Sequence, residues 1–328
     1  MKKCNAFIFK RALNNYDLFN KFGKIYIFGV MTFMLTLSAT GEESTLYKDA
    51  SKSGAYQGHR SSRWADYSGD SFSIHMNKGF EAYMNHDLDQ AIEMYSVATK
   101  IKRRNTYLAY ANRANIYFSS GQYDLAIDDY TEVLKLRPNE LSAYLSRGNV
   151  WLAKGQTDKA IEDFSKAIDA NPKYASAYVC RGKLWCKNGE IDKAHNDFSK
   201  ATELDNNSPE TLIPMARFLS TCPEEKYRNG NQAVELTRKA IEITHNWEGM
   251  VKRQKSSEVM TYERLPLAPQ YDTLASAYAE TGNFAEAIAN QEKAISLLAN
   301  ENSNHYFQAF SEHLKLYQEM KPLRETSN

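Results

Sequence analysis

The chain has 328 residues, 42% of them hydrophobic, enough apolar material for a sizeable core or an extended stack of repeats. Forty-one basic side chains against forty acidic ones leave a net charge of +1, so neither a nucleic-acid partner nor an acidic tail is expected from bulk charge. The four cysteines, Cys4, Cys180, Cys186 and Cys222, form no CxxC pair and no Cys/His cluster, which argues against a zinc site and a disulfide framework.

Residues 1–41 differ in composition from the rest of the chain. Lys2, Lys3, Lys10, Arg11, Lys21 and Lys24 precede seventeen uncharged residues at 25–41, and the small residues Ala39, Thr40 and Gly41 close the stretch. A basic leader, a short apolar core and a small-residue end make the plan of a secretory signal peptide. As a helix the apolar stretch reaches about 25 Å, slightly short of the roughly 30 Å hydrocarbon layer. The long leader keeps a membrane anchor at 25–41 open beside the signal peptide. The chain is therefore expected to be exported (periplasmic or secreted) or anchored, with membrane contact only through this segment. Residues 42–71 mix Ser, Gly, Lys, Asp and Tyr without helical or strand period and read as a linker. Trp64 and its tyrosine neighbours belong to that tether.

From residue 72 onward the sequence repeats itself. Ala126, Ala160 and Ala194 fall 34 residues apart, as do Gly121, Gly155 and Gly189. The aromatics Tyr130, Phe164 and Phe198 keep the same step, and so do Arg113, Arg147 and Arg181 with Asp129, Asp163 and Asp197. A fixed period marks a solenoid, whose units bury their apolar faces by stacking on neighbours. Gly148 and Gly182, with Ala114 in phase, predict a close approach of two helices. Gly155 predicts a left-handed helix end, and Pro138 and Pro172 predict the close of each second helix. The Arg and Asp copies read as ion pairs joining the two helices of a unit.

In one unit Tyr144, Gly148, Trp151, Gly155, Ala160, Phe164, Ala167 and Pro172 stand in the order aromatic, small, aromatic, Gly, Ala, aromatic, Ala, Pro. This resembles the tetratricopeptide repeat, and the resemblance implies an all-α, right-handed α-solenoid of about six helix-turn-helix repeats with a C-terminal capping helix. The repeats fall at about 72–105, 107–140, 141–174, 175–208, 209–246 and 268–301, the cap at 302–320 and a tail at 321–328. The first repeat has His86 where Gly is expected and lacks the closing Pro, as suits a terminal unit. The fifth is lengthened by the loop Cys222-Pro223-Glu224-Glu225-Lys226-Tyr227-Arg228-Asn229-Gly230, which looks like one found in a subset of bacterial members. Residues 247–267 read as a solvated insertion carrying Lys252, Arg253 and Lys255.

No phosphate-cradling Gly-rich loop, HExxH or nucleophile with a recognisable partner pattern is present. His195 reads as a surface or packing residue. No catalytic, cofactor-binding or metal-ligating residue is expected, and no cofactor. The resemblance implies instead a non-enzymatic scaffold that binds a protein or peptide segment in a concave groove. The alternative is self-assembly, or a structural part of a larger envelope complex. By that resemblance, the second, fifth, ninth, twelfth and thirteenth residues of each first helix line the inner face. The groove residues are then Asn115, Asn149, Lys183, Lys187 and Arg217: the two amides suit a peptide backbone and the three cations suit an acidic partner. Asn115 to Arg217 spans about 30 Å, the reach of about nine extended residues. The chaperone-tail clamp of this family needs Lys, Asn, Asn, Lys and Arg at places that hold Met76, Phe80, Asn112, Ser142 and Ser146, so that function is not expected.

Overall fold

The computed structural model describes residues 71–253, 267–298 and 304–325. The signal peptide or anchor, the linker with Trp64, and Lys255 lie outside the described residues. Thirteen α-helices and no strand occur among them: α1 Ser71–Met84, α2 Leu88–Lys100, α3 Thr106–Ser119, α4 Tyr123–Leu136, α5 Leu141–Ala153, α6 Thr157–Ala170, α7 Ala175–Lys187, α8 Ile191–Leu204, α9 Pro209–Thr221, α10 Gly230–Arg253, α11 Leu267–Glu280, α12 Phe284–Leu298 and α13 Asn304–Gln318. Six helical hairpins and a final helix are what the repeat predicts. The described residues fall into two compact units, 71–170 and 171–325, parted at the joint between the third and fourth repeats.

In the unit 71–170 each helix packs antiparallel on the one before it, from α1 to α6. The packing follows from side-chain volume at two in-phase positions. Tyr95, Tyr130 and Phe164 on the second helices are buried to 2% exposure or less, a burial worth about 1.5–3 kcal/mol for a phenylalanine side chain. Opposite them the first helices offer Gly79, Ala114 and Gly148. A Cβ on Gly148 would stand 2.5 Å from the Phe164 ring, and one on Gly79 2.7 Å from Tyr95. Small residues there let the helices close onto the rings. The predicted ion pairs are present. The guanidinium of Arg113 donates twice to Asp129 at 2.7 Å, that of Arg147 to Asp163 at 2.8 and 2.7 Å. The third donor reaches back one repeat, Arg113 to Ser96 at 2.8 Å and Arg147 to Thr131 at 2.9 Å. In each pair both carboxylate oxygens and all three guanidinium nitrogens are thus bonded, as a largely buried pair requires.

Helix ends obey the sequence closely. Gly155 has φ +73°, its N–H donates to Leu152 O and that of Gln156 to Trp151 O, both at 2.8 Å. This pair of bonds recovers two carbonyls that a helix end leaves open. His86 adopts the same left-handed turn at φ 61° without being glycine, and Asp87 beside it caps α2 through Gln90 N–H at 3.0 Å.

In the unit 171–325, α7 to α10 make two more hairpins, α11 packs on both α9 and α10, and α12 and α13 follow in order. Arg181 grips Asp197 at 2.8 and 2.9 Å. The loop 222–230 is anchored by a 3-10 turn at Glu225–Tyr227, where the Tyr227 ring stacks on His195 at 4.7 Å. His195 is thus a packing residue. One expectation needs correction. Residues 247–253 are not loop: α10 continues through them to Arg253, so Lys252 and Arg253 are helical. The stretch holds no proline, and Gly249 alone costs a helix only about 1 kcal/mol. The tail residues 321–325 pack on the fold. Met320, at φ 56°, reverses the chain after α13, with Lys321 N–H donating to Leu316 O at 2.8 Å. Residues 321–325 then return to the helices, and Leu323 packs on the cluster around Leu274, Phe310 and Tyr317.

Candidate functional site

Asn115 and Asn149 occupy the ninth places of the second and third repeats, 7% and 8% exposed. The Asn115 carbonyl accepts a hydrogen bond from the Tyr130 hydroxyl, which fixes the amide and leaves its NH2 as the available donor. Beside it lies a shallow open depression with only about 10 Å³ of enclosed space, bordered by Ala111, Asn115, Glu140, Ser142 and Ala143, with Tyr130 and Val133 behind. Ala111, Asn115 and Ser142 hold the fifth, ninth and second places of their repeats, the places expected to face a ligand. Small-molecule pockets measure roughly 300–1,000 Å³, so this depression is a shallow notch in the inner face and not a metabolite pocket.

The three predicted cations belong to the other unit, and their surroundings differ. Lys187, at the end of α7, is exposed. Lys183 is half-buried, and burial lowers its pKa. Among the described residues no carboxylate pairs with it. Arg217 is not a free groove cation. Its Nη1 donates to Asp272 at 2.6 Å and its Nε to Glu325. Burial opposes its charge, but the two carboxylates outweigh that and raise its pKa.

Asp272, at the fifth place of the sixth repeat, is the centre of a network that no sequence pattern announces. It is 1% exposed. Besides Arg217 it receives the Gln291 amide at 2.9 Å and His313 Nδ1 at 2.7 Å. Burial alone would raise its pKa, but the Arg217 charge and the His313 hydrogen bond prevail and hold the carboxyl at about 2. The donors come from α9, α12 and α13, so no fixed spacing connects them. Glu280, at the thirteenth place of the same repeat, is held between Arg228 at 2.9 Å and Arg324 at 2.7 Å. Ser276, at the ninth place, bonds Ser220 at 2.9 Å.

Cys180, Cys186 and Cys222 are free thiols. Burial pushes the first two up to about 12, far from the thiolate that nucleophilic chemistry uses. Among the described residues no group of three His, Cys, Asp or Glu side chains is placed to hold a metal ion, and no helix is long and apolar enough to cross a membrane.

Three stretches of the chain match tetratricopeptide-repeat models: 107–140 a Tetratricopeptide repeat, 148–189 a TPR repeat and 271–299 a Tetratricopeptide repeat. The first coincides with the second repeat, the second falls across the third and fourth repeats, and the third lies within the sixth. The chain carries tetratricopeptide repeats. No curated protein matches it. This tetratricopeptide-repeat chain is similar to a solved tetratricopeptide repeat protein from Parabacteroides merdae, at 19% identity over 76% of this chain and 100% of that one, with a TM-score of 0.47. It is similar to a thermophilic TPR protein of Thermus thermophilus at 17% identity over 75% and 100%, TM-score 0.39. A third is YrrB, described as a TPR protein with an unusual peptide-binding site, at 20% identity over 68% and 99%, TM-score 0.43.

Proposed function

We propose that this protein is a non-enzymatic interaction scaffold that holds an extended segment of a partner protein on the inner faces of its first helices. The observation that carries this reading is the depression beside Asn115. It opens on the second, fifth and ninth places of successive repeats and presents an amide whose orientation is fixed from behind. An oriented donor that needs no rearrangement on binding loses little freedom when it engages a peptide carbonyl. Taken by itself, the unit 171–325 offers Lys183 without a carboxylate partner and exposed Lys187 one turn on, which favours an acidic residue in a segment held by that unit. Binding to a peptide array, followed by fluorescence anisotropy on the captured peptides, tests the proposal. Asn115→Ala with Asn149→Ala should weaken the captured peptide about tenfold or more, each lost hydrogen bond contributing about 1 kcal/mol. Lys183→Glu should weaken an acidic peptide held by the unit 171–325. Unchanged affinity in both variants would place the binding surface elsewhere.

The same reading includes export. The basic leader and the apolar residues 25–41 direct the chain out of the cytoplasm or hold it at the membrane. Fused to a reporter active only outside the cytoplasm, residues 1–45 should give signal, and Leu35→Arg should abolish it. Export of a chain lacking these residues would overturn the assignment.

A further inference from the structure

The chain shows what one of its own grooves accepts. Residues 321–325 run back over the ends of α9 and α11 and make contacts of three kinds. Glu325 N–H donates to the carbonyl of Thr221 at 3.0 Å, a helix-terminal oxygen with no partner inside the helix. The Glu325 carboxylate accepts from Arg217 Nε, and the Arg324 guanidinium pairs with Glu280 at 2.7 Å. Leu323 covers the apolar cluster of α11 to α13. Arg217 and Thr221 hold the ninth and thirteenth places of the fifth repeat, and Glu280 the thirteenth of the sixth. These are inner-face places, so the tail lies where a ligand of this fold is expected to lie. Asp272 and Arg228, neither of which belongs to the tail, also bond the two charged receptors. The tail's own grip is looser: the Glu325 side chain remains 50% exposed and that of Arg324 33%.

We propose that the inner face of α9 and α11 is a docking site for an extended partner segment bearing an apolar, a basic and an acidic residue in succession, and that residues 323–325 occupy it as a tethered competitor. This rests on the proposed groove function and specifies its ligand for the second unit. Main-chain capture at Thr221 supplies affinity for any extended segment, and the Arg217 and Glu280 charges select the order basic then acidic. Reversing those two residues would set like charges against each other at both positions. A short tether raises the local concentration of the tail to the order of millimolar, so a partner segment must outcompete it.

The test uses a fluorescein-labelled peptide of residues 319–325, EMKPLRE, and anisotropy with two proteins: the full chain and the chain ending at Met320. Saturable binding to the truncated chain, at least about tenfold tighter than to the full chain, is expected, and the peptide with Arg and Glu exchanged should not bind. Because truncation also removes Leu323 from the core, a second variant keeps the chain whole. Arg324→Ala with Glu325→Ala in the full chain should likewise expose the site to the peptide. If both proteins are folded by circular dichroism and neither binds EMKPLRE better than the full chain does, the assignment is overturned. If those proteins still capture array peptides through Asn115 and Asn149, only the tail assignment fails; loss of both kinds of binding removes the groove function as well.

Discussion

Replacing Asp272 by Asn probes the network that holds the second unit together. The carboxyl sits at about 2 in the folded protein against 3.8 for a free side chain. A depressed carboxylate pKa means that the folded state binds its proton less readily than the unfolded one. The contribution is therefore complete above about pH 4 and is lost as the pH falls through about 2. The gap of nearly two pH units corresponds to about 2 kcal/mol. At neutral pH Asp272→Asn should cost about 3 kcal/mol, the low end for breaking a buried pair, because Arg217 keeps Glu325 and partial access to water. As the wild-type carboxyl protonates it comes to resemble the amide, so the difference between the two proteins should shrink to about 1 kcal/mol near pH 2. Urea unfolding followed by far-ultraviolet circular dichroism at several values between pH 7 and pH 2 gives that difference directly. A difference that stays constant across the range would mean that Asp272 titrates as it does in the unfolded chain, and the account of the network would be wrong.

His86→Gly should stabilise the protein by about 1 kcal/mol in urea titration, since His86 holds a left-handed conformation that glycine adopts without steric cost. Gly148→Ala should destabilise by about 1–3 kcal/mol, because the added Cβ meets the fully buried Phe164 ring, and Phe164→Leu in the same chain should restore part of the loss. Arg147→Ala, which leaves Asp163 buried without its cation, should cost about 3–5 kcal/mol in the same titration at neutral pH.

Local rules and one period carried most of the fold. The glycines at 121, 155 and 189 stand where the backbone turns left-handed, and Gly148 stands where a ring needs its space. Both effects act between residues one repeat or less apart, so they leave a mark at fixed spacing. Each Arg and Asp pair spans sixteen residues and is copied three times, which makes it legible from spacing alone. The same logic failed at 247–253, where helix propensity with no strong breaker continued α10 past the repeat boundary.

The features that depend on long-range contacts are concentrated at the end of the chain. Arg217 in sequence is one more cation at a ninth position. Its role is set by Asp272, 55 residues away, and by Glu325, 108 residues away, neither of which lies at a repeat interval from it. Residues 321–325 carry no helical period, so nothing in them signals a return to the helices; the reversal at Met320 and the cluster that receives Leu323 provide it. The repeats, their hairpins and their internal ion pairs were specified by the residue pattern, because those are short-range interactions written once per unit. Which charges are spent inside the protein and which face a partner was settled only by the folded chain, because that depends on non-repeating contacts between distant segments.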